Sequence, residues 1–448
     1  RGEIILDDQE NVIVSSTTRS TNFPTQFGSQ NALSGIQDAV VFKMPPTLSS
    51  LIWSTYFGGS GEETGNSVQL SSNGTVYMVG GTTSANLPIS GGFDTSFGGD
   101  VDGYIARFNG NNGNLMSGTF IGENEYDQVY FVQLDIDDRI YVLGQTESNL
   151  GISGVTYGNA NSGQFIQKYN NTLSNQEWRT MVGASTGQVE ISPTAFLVSD
   201  CYDIYFSGWG GVLNINNGNA PGSTTNGFPV TPNAYQTFTN GNNFYIGVLG
   251  PNASNLKYGT FFGGTANVSD EHVDGGTSRF DKSGRIYHAV CGGCGGNSNG
   301  FSTTPGAWSQ INGSSNCNLA AFKFELNQID ALVSVPNTTI CIPNPAVFNN
   351  NSANGNTFFW DFGDGNTSTD VNPTHPYQNP GTYTVTLVVT DSNQCYSPDT
   401  VELILNIGDF GGGIVPLQGP ICPGDSVQLE AYGGASYEWS PAQFMDNP

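Results

Sequence analysis

The sequence predicts an all-β chain: a β-propeller of four-stranded blades, then an immunoglobulin-like sandwich, then the start of another. Three observations carry this. A cassette of about sixty residues recurs along the chain, each copy places four short apolar strand signals at fixed positions, and no segment shows sustained helical periodicity with caps.

The best copy runs from Ser54 to Leu115, and Gly118 to Gln176 repeats its aromatic, glycine and strand landmarks in the same order. A third copy spans Trp178 to about Leu256 and a fourth Lys257 to about Ala331, both lengthened before their last strand. A partial unit, Gly2 to Leu51, precedes them without an opening strand, so the first blade reads as incomplete. In the best copy the strands are TYFGG, VQL, TVYMVG and DGYIARF. The closing strand recurs as DAVVFKM, GQFIQKY, FYIGVL and NLAAFKF. A four-stranded blade cannot bury both faces alone, so neighbouring blades must stack about an axis. Residues 1–331 are assigned to this array, 332–408 to the sandwich, and 409–448 to a linker with a partial Ig-like domain.

Composition agrees with this. A length of 448 residues suits two or three domains. Charged residues make up 11%, and the 60 glycines are consumed by turns rather than helices. No apolar run approaches the roughly 18 residues that a membrane helix needs. The net charge of −26 repels a phosphate backbone and leaves no basic stripe, which excludes nucleic-acid binding. Calcium is the one cofactor the acidic turns suggest, at Asp135, Asp137 and Asp138 or at Asp100 and Asp102. No segment matches a twelve-residue calcium loop, and Asp is common in turns anyway.

Seven cysteines occur, without the paired CxxC spacing of a zinc module. Cys341 and Cys395 bracket one segment beside predicted strands and are paired. Cys317 is paired with Cys294, Cys291 being the alternative, as a staple in the enlarged last repeat. Disulfides imply an oxidising compartment. Cys422 finds no partner in its half of the chain, and with the incomplete first blade it makes the chain read as an excerpt of a longer protein.

Beyond Ala331 the pattern changes. Strands alternate cleanly at Phe358 and Trp360 and at Tyr383, Val385, Leu387 and Val389, with Gly363-Asp364-Gly365 as a turn. The string Trp360-Asp361-Phe362-Gly363-Asp364-Gly365, followed by His375-Pro376-Tyr377 and Pro380-Gly381-Thr382-Tyr383, resembles the signature of the PKD domain, an Ig-like module of extracellular proteins. The resemblance implies structural roles for Trp360, Asp361, Gly363, Asp364 and Gly365. The strings STYFGG, SSNGTVYMVG, TTSANLPIS and DGYIARFN are similar to the bacterial SBBP β-propeller repeat. Together the two resemblances imply a large Bacteroidetes surface protein, exported through the periplasm by the type IX secretion machinery to the outer-membrane surface, of adhesin or gliding-motility-associated type. Asp399-Thr400-Val401 and Asp425-Ser426-Val427 also resemble the O-glycosylation sequon of that phylum.

Nothing in the sequence assembles a catalytic constellation. The three histidines are His272, His288 and His375; Asp270-Glu271-His272 reads as a solvated turn, and no nucleophile elbow accompanies it. Glu62, Glu63, Glu123 and Glu125 stand at matching places in adjacent repeats, which points to a repeat preference more than to a glycosidase pair. The chain is therefore expected to be non-enzymatic. It would act as a recognition head for a glycan or a protein, or as a stalk carrying a sorting domain. Trp209 has no counterpart in the other copies and is the expected ligand contact, whereas Trp308 and Tyr235, which align with Phe93 and Tyr157, read as core aromatics.

Overall fold

The computed structural model describes residues 2–440 apart from 217, 219, 265–269, 274–277, 282–283, 295–299, 326–328, 393–397, 410–412, 417–425 and 435. It divides into two compact units, Arg1–Leu326 and Asn327–Pro448. The boundary falls before the expected 331/332 because Ile329 and Ala331 are already buried in the core of the second unit.

The first unit consists of five antiparallel sheets. The first comprises β1 (Glu3–Leu6), β2 (Val12–Thr18), β3 (Asp38–Met44) and β4 (Trp53–Phe57), paired in chain order. The second repeats this with β5 (Ser67–Leu70), β6 (Thr75–Thr82), β7 (Asp102–Asn109) and β8 (Leu115–Ile121). β9 (Asp127–Leu134), β10 (Ile140–Thr146), β11 (Gln164–Tyr169) and β12 (Gln176–Val182) form the third. The fourth contains β13 (Ser192–Val198), β14 (Ile204–Trp209), β15 (Phe244–Leu249) and β16 (Leu256–Phe262). In the fifth, β17 (Asp270–His272) and β18 (Ser278–Phe280) pair with successive stretches of β19 (Arg285–Cys294), and β20 (Asn318–Glu325) lies on the other side of β19.

This pairing corrects the expected phasing. The opening strand of each sequence repeat, WSTYF in the first full copy, is the fourth strand of the preceding sheet. The N-terminal sheet is therefore complete, and the sheet without a fourth strand among the described residues is the fifth. First strands of consecutive sheets contact one another. Glu3 on β1 accepts from the Val68 amide at 3.0 Å and pairs with Arg279 on β18 at 3.2 Å. Sheets 1, 2 and 5 thus meet at a common hub, consistent with propeller-like blades.

Apolar layers fill the space between consecutive sheets. Val41, Trp53 and Phe57 meet Met78, Tyr104 and Phe108; Tyr77, Val79 and Ile105 meet Val129, Val142 and Phe165. Tyr141 and Trp178 meet Phe206 and Tyr245, and Phe244 and Ile246 meet Phe280 and Ile286. Both faces of the inner sheets are therefore covered, so the whole of β6, TVYMVGGT, is buried where a one-sided strand would alternate.

The fourth strands are held on their far edge by the loop that follows the second strand. Thr55, Thr119, Thr180 and Thr260 are fully buried at the same place in β4, β8, β12 and β16. The Thr119 hydroxyl accepts from the Asp94 amide at 2.9 Å and donates to the Asp94 carbonyl at 3.0 Å. Thr55 does the same with Gln30, and Thr260 with Gln236. Thr180 keeps the donated half, to the Tyr157 carbonyl at 2.6 Å. The loop thus closes an edge that would otherwise be open to pairing.

The second unit is an Ig-like sandwich. Its five-stranded sheet runs Thr339–Ile342, Asp399–Asp409, Gly381–Thr390, Thr357–Asp361 and Thr367–Ser368, the first pair parallel and the others antiparallel. Trp360 is fully buried against Phe348, and its indole N–H donates to the Asp370 carbonyl at 2.9 Å. A two-stranded pairing of Gly413–Pro416 with Leu429–Tyr432 follows.

Thr119→Val is expected to lower the unfolding free energy by about 1–3 kcal/mol, since it leaves the Asp94 amide without its acceptor while the Asp94 carbonyl keeps only the Phe120 amide, whereas Thr119→Ser retains most of it. Chemical denaturation of both variants checks this; equal losses would show that shape, not the hydroxyl, holds the strand.

Candidate functional site

One rim of the first unit carries a repeated acid. After each fourth strand the chain turns through a glycine into the next sheet: Gly58, Gly122, Gly183 and Gly263. A Cβ on Gly122 would stand 2.6 Å from Asp102 Oδ1 and 3.0 Å from Asp127 Oδ2, and one on Gly58 would strike Asp38 and Glu63. Glycine is required because the backbone passes through the space between two carboxyl groups. One residue further on, the amides of Gly59, Glu123, Ala184 and Gly264 donate to Glu63, Asp127, Glu190 and Glu271 at 2.8–3.1 Å.

Those four buried acids are the true repeat equivalents. Of the glutamates the sequence pointed to, Glu63 is one of them, whereas Glu123 and Glu125 are exposed and Glu62 pairs with Arg19 at 3.5 Å. The usable signal is the acid five to eight residues after the glycine (Glu63, Asp127, Glu190 and Glu271), not the acid nearest to it. Each is engaged by backbone amides as a turn acceptor, which accounts for its recurrence without chemistry. Asp102 is fully buried, and its Oδ1 has no hydrogen-bond partner among the described residues. Burial pushes its carboxyl up to about 6, with the Asp127 charge adding to the effect.

Among the described residues, no group of three or more His, Cys, Asp or Glu side chains is gathered to hold a metal ion. Asp135 caps its own turn through the amides of Asp137 and Arg139 and pairs with Lys168 at 3.4 Å; Asp137 accepts from the Tyr202 hydroxyl, and Asp138 from Ser72. Asp100 is exposed.

Trp209 is placed in the interior rather than at a surface. It ends β14, is 7% exposed and packs 5.6 Å from the His272 ring in the layer between the fourth and fifth sheets. Its register neighbours are Ser192 and Phe244. Glu271 and His272, expected in a solvated turn, are likewise buried, in and beside β17. His288 lies between Phe244 and Phe322, and burial pushes its imidazole down to about 3, so it is neutral at physiological pH.

Two exposed aromatics lie beside the fifth sheet. Trp308, read from the sequence as core, is fully exposed, and Tyr235 is 60% exposed. They line an open groove of about 610 Å³ between residues 301–312 and β20, together with Phe262, Phe301, Ile311, Leu319, Phe322 and Phe324. A disulfide joins Cys294 to Cys317 beside it. Cys201 is also disulfide-bonded. In the second unit Cys341 is an exposed thiol on its strand, and its expected partner Cys395 lies outside the described residues, as does Cys422.

The tryptophan–glycine–aspartate string of the second unit is structural in detail. Asp361 accepts from the Gly363 amide and Asp364 from the Asn366 amide, while Gly363 and Gly365 take φ of +78° and +89°. His375 stacks on Phe362 at 4.2 Å and bonds Asp364 at 2.7 Å, and the Tyr377 hydroxyl donates to the Phe362 carbonyl.

Residues 332–404 match the PKD domain family. A collagenase of Bacillus cereus is 63% identical over 35 residues, which are 8% of this chain and 4% of that protein. The chain thus spans a small fraction of the length of the curated relatives it matches. Among solved structures, the PKD1 domain of a Vibrio cholerae metalloprotease is 30% identical; the match covers 18% of this chain and 99% of that one, at a TM-score of 0.16. A protein of unknown function from Dyadobacter fermentans is 9% identical over 91% of this chain and 94% of its own, at a TM-score of 0.34.

The raised Asp102 carboxyl gives a pH dependence of definite sign. Between about pH 4 and 6 the folded state retains a proton that the unfolded state has released, so stability falls as pH rises through this window, by roughly 2–3 kcal/mol for a shift of this size. Asp102→Asn is expected to raise the melting temperature at pH 7.5 and to leave it unchanged at pH 4. Equal shifts at both pH values would contradict the assignment.

Proposed function

We propose that this chain is a secreted, non-enzymatic cell-surface protein whose five-sheet unit binds a ligand and whose PKD unit displays it, an adhesin or gliding-motility-associated component exported by type IX secretion to the outer-membrane surface. The observation that carries the binding role is the fifth-sheet groove, where a fully exposed tryptophan stands with Tyr235, Ile311 and Leu319, all more than half exposed, along one open cavity. The PKD match supports an extracellular setting, and so does the Cys294–Cys317 disulfide. The non-enzymatic reading rests on the repeated acids, each of which already serves a backbone turn. The partner is a glycan or a protein on a neighbouring surface.

Purified protein is expected to bind a glycan array or intact bacterial cells saturably. Trp308→Ala should weaken that binding at least tenfold without altering the melting temperature. Trp209→Ala should lower the melting temperature, as loss of a buried aromatic does. Binding unaffected by Trp308→Ala would remove the groove from the reading, and no binding by the wild-type protein would favour a spacer.

A further inference from the structure

In the first four sheets the third strand is covered on its outer edge by a fourth, which is covered in turn by the preceding loop. The fifth sheet has both flanking parts. β20, NLAAFKFE, aligns with β7, DGYIARFN, and β15, FYIGVL; the loop TPGAWSQI aligns with TPNAYQTF of the fourth sheet. The two loops make the same turn: Ala307 N donates to the Thr304 carbonyl at 3.1 Å, as Ala234 N does to Thr231 at 3.0 Å. Between loop and strand, where β16 stands in the fourth sheet, the described residues of the fifth place no strand.

The consequence is visible on β20. Leu319 is 79% exposed, whereas its equivalents Ala39 and Phe244 are fully buried. The groove described above is this vacant place, with the Ser302–Asn312 loop on one side and β20 on the other.

We propose that the groove is a strand acceptor that binds a single extended peptide segment, antiparallel to β20, carrying the pattern shared by the four fourth strands. The inference rests on the groove being the binding surface and names its ligand class. The shared pattern is a threonine, two large apolar residues and a glycine: Thr55-Tyr56-Phe57-Gly58, Thr119-Phe120-Ile121-Gly122, Thr180-Met181-Val182-Gly183 and Thr260-Phe261-Phe262-Gly263. In those sheets the threonine pairs with Val41, Ile105, Ile166 and Ile246. The same register sets an incoming threonine opposite Ala321 and its second apolar residue opposite Leu319. By the loop alignment its hydroxyl reaches the backbone of Ser309, as Thr260 reaches Gln236. Main-chain pairing supplies affinity, and the apolar pair supplies specificity.

The test titrates a fluorescein-labelled peptide of sequence SLIWSTYFGGS, which spans β4, into the full 448-residue protein. Expected are saturable one-to-one binding, at least tenfold weaker binding of a scrambled peptide and of one with proline at the threonine, and at least tenfold slower amide exchange at 318–325 when the peptide is bound. Leu319→Arg, at a position already exposed, should weaken binding without changing the melting temperature. Equal binding of the scrambled peptide, unchanged exchange along β20, or a dimer that forms without peptide and protects the same amides would each overturn the proposal. If the peptide does not bind while Trp308→Ala still abolishes attachment to cells or glycans, the strand inference alone falls. If the peptide binds and Trp308→Ala leaves attachment intact, the binding-surface reading falls instead.

Discussion

A buried threonine hydroxyl, bonded to the backbone of one loop residue, fixes where the fourth strand of each of the first four sheets belongs. It ties the fourth strand to the loop of the sheet in front, although that strand is encoded at the start of the following repeat. The remaining features of the unit depend on this offset. The glycine after the strand must pass a buried acid to enter the next sheet, between two carboxyl groups at Gly58 and Gly122, and the acid beyond it folds back to satisfy the turn amides. Large apolar side chains then fill the layer between one sheet and the next.

The second unit solves the same problem differently. Trp360, Phe362, His375 and Tyr377 form an aromatic stack inside one sandwich, and the aspartates of the hairpin hold the backbone that presents them. Those side chains work as a set, which is why their order in the sequence was a strong signal.

The strand count, the closing strands and the PKD motif were legible because apolar period and turn residues report local structure directly. Phasing was not. A strand has the same alternation whichever sheet it joins, so WSTYF gave no sign that it closes the sheet before it. Trp209 and Trp308 were exchanged because position within a repeat does not report burial: Tyr235 and Phe93, which align with Trp308, are exposed in sheets that have all four strands, while Trp209 ends a strand packed between two sheets. Of the acids, Glu63 was legible and the other three were not, because the turn takes whichever carboxyl folds back onto its amides and not the acid nearest the glycine.

The offset also orders assembly in time. During synthesis the chain emerges from its N-terminus, and none of the first four sheets can close until the opening segment of the following repeat has appeared. Until then β3, β7, β11 and β15 each present an unpaired apolar edge. Every newly emerged repeat therefore finishes the one before it and leaves itself open, so the growing molecule always has one adhesive end.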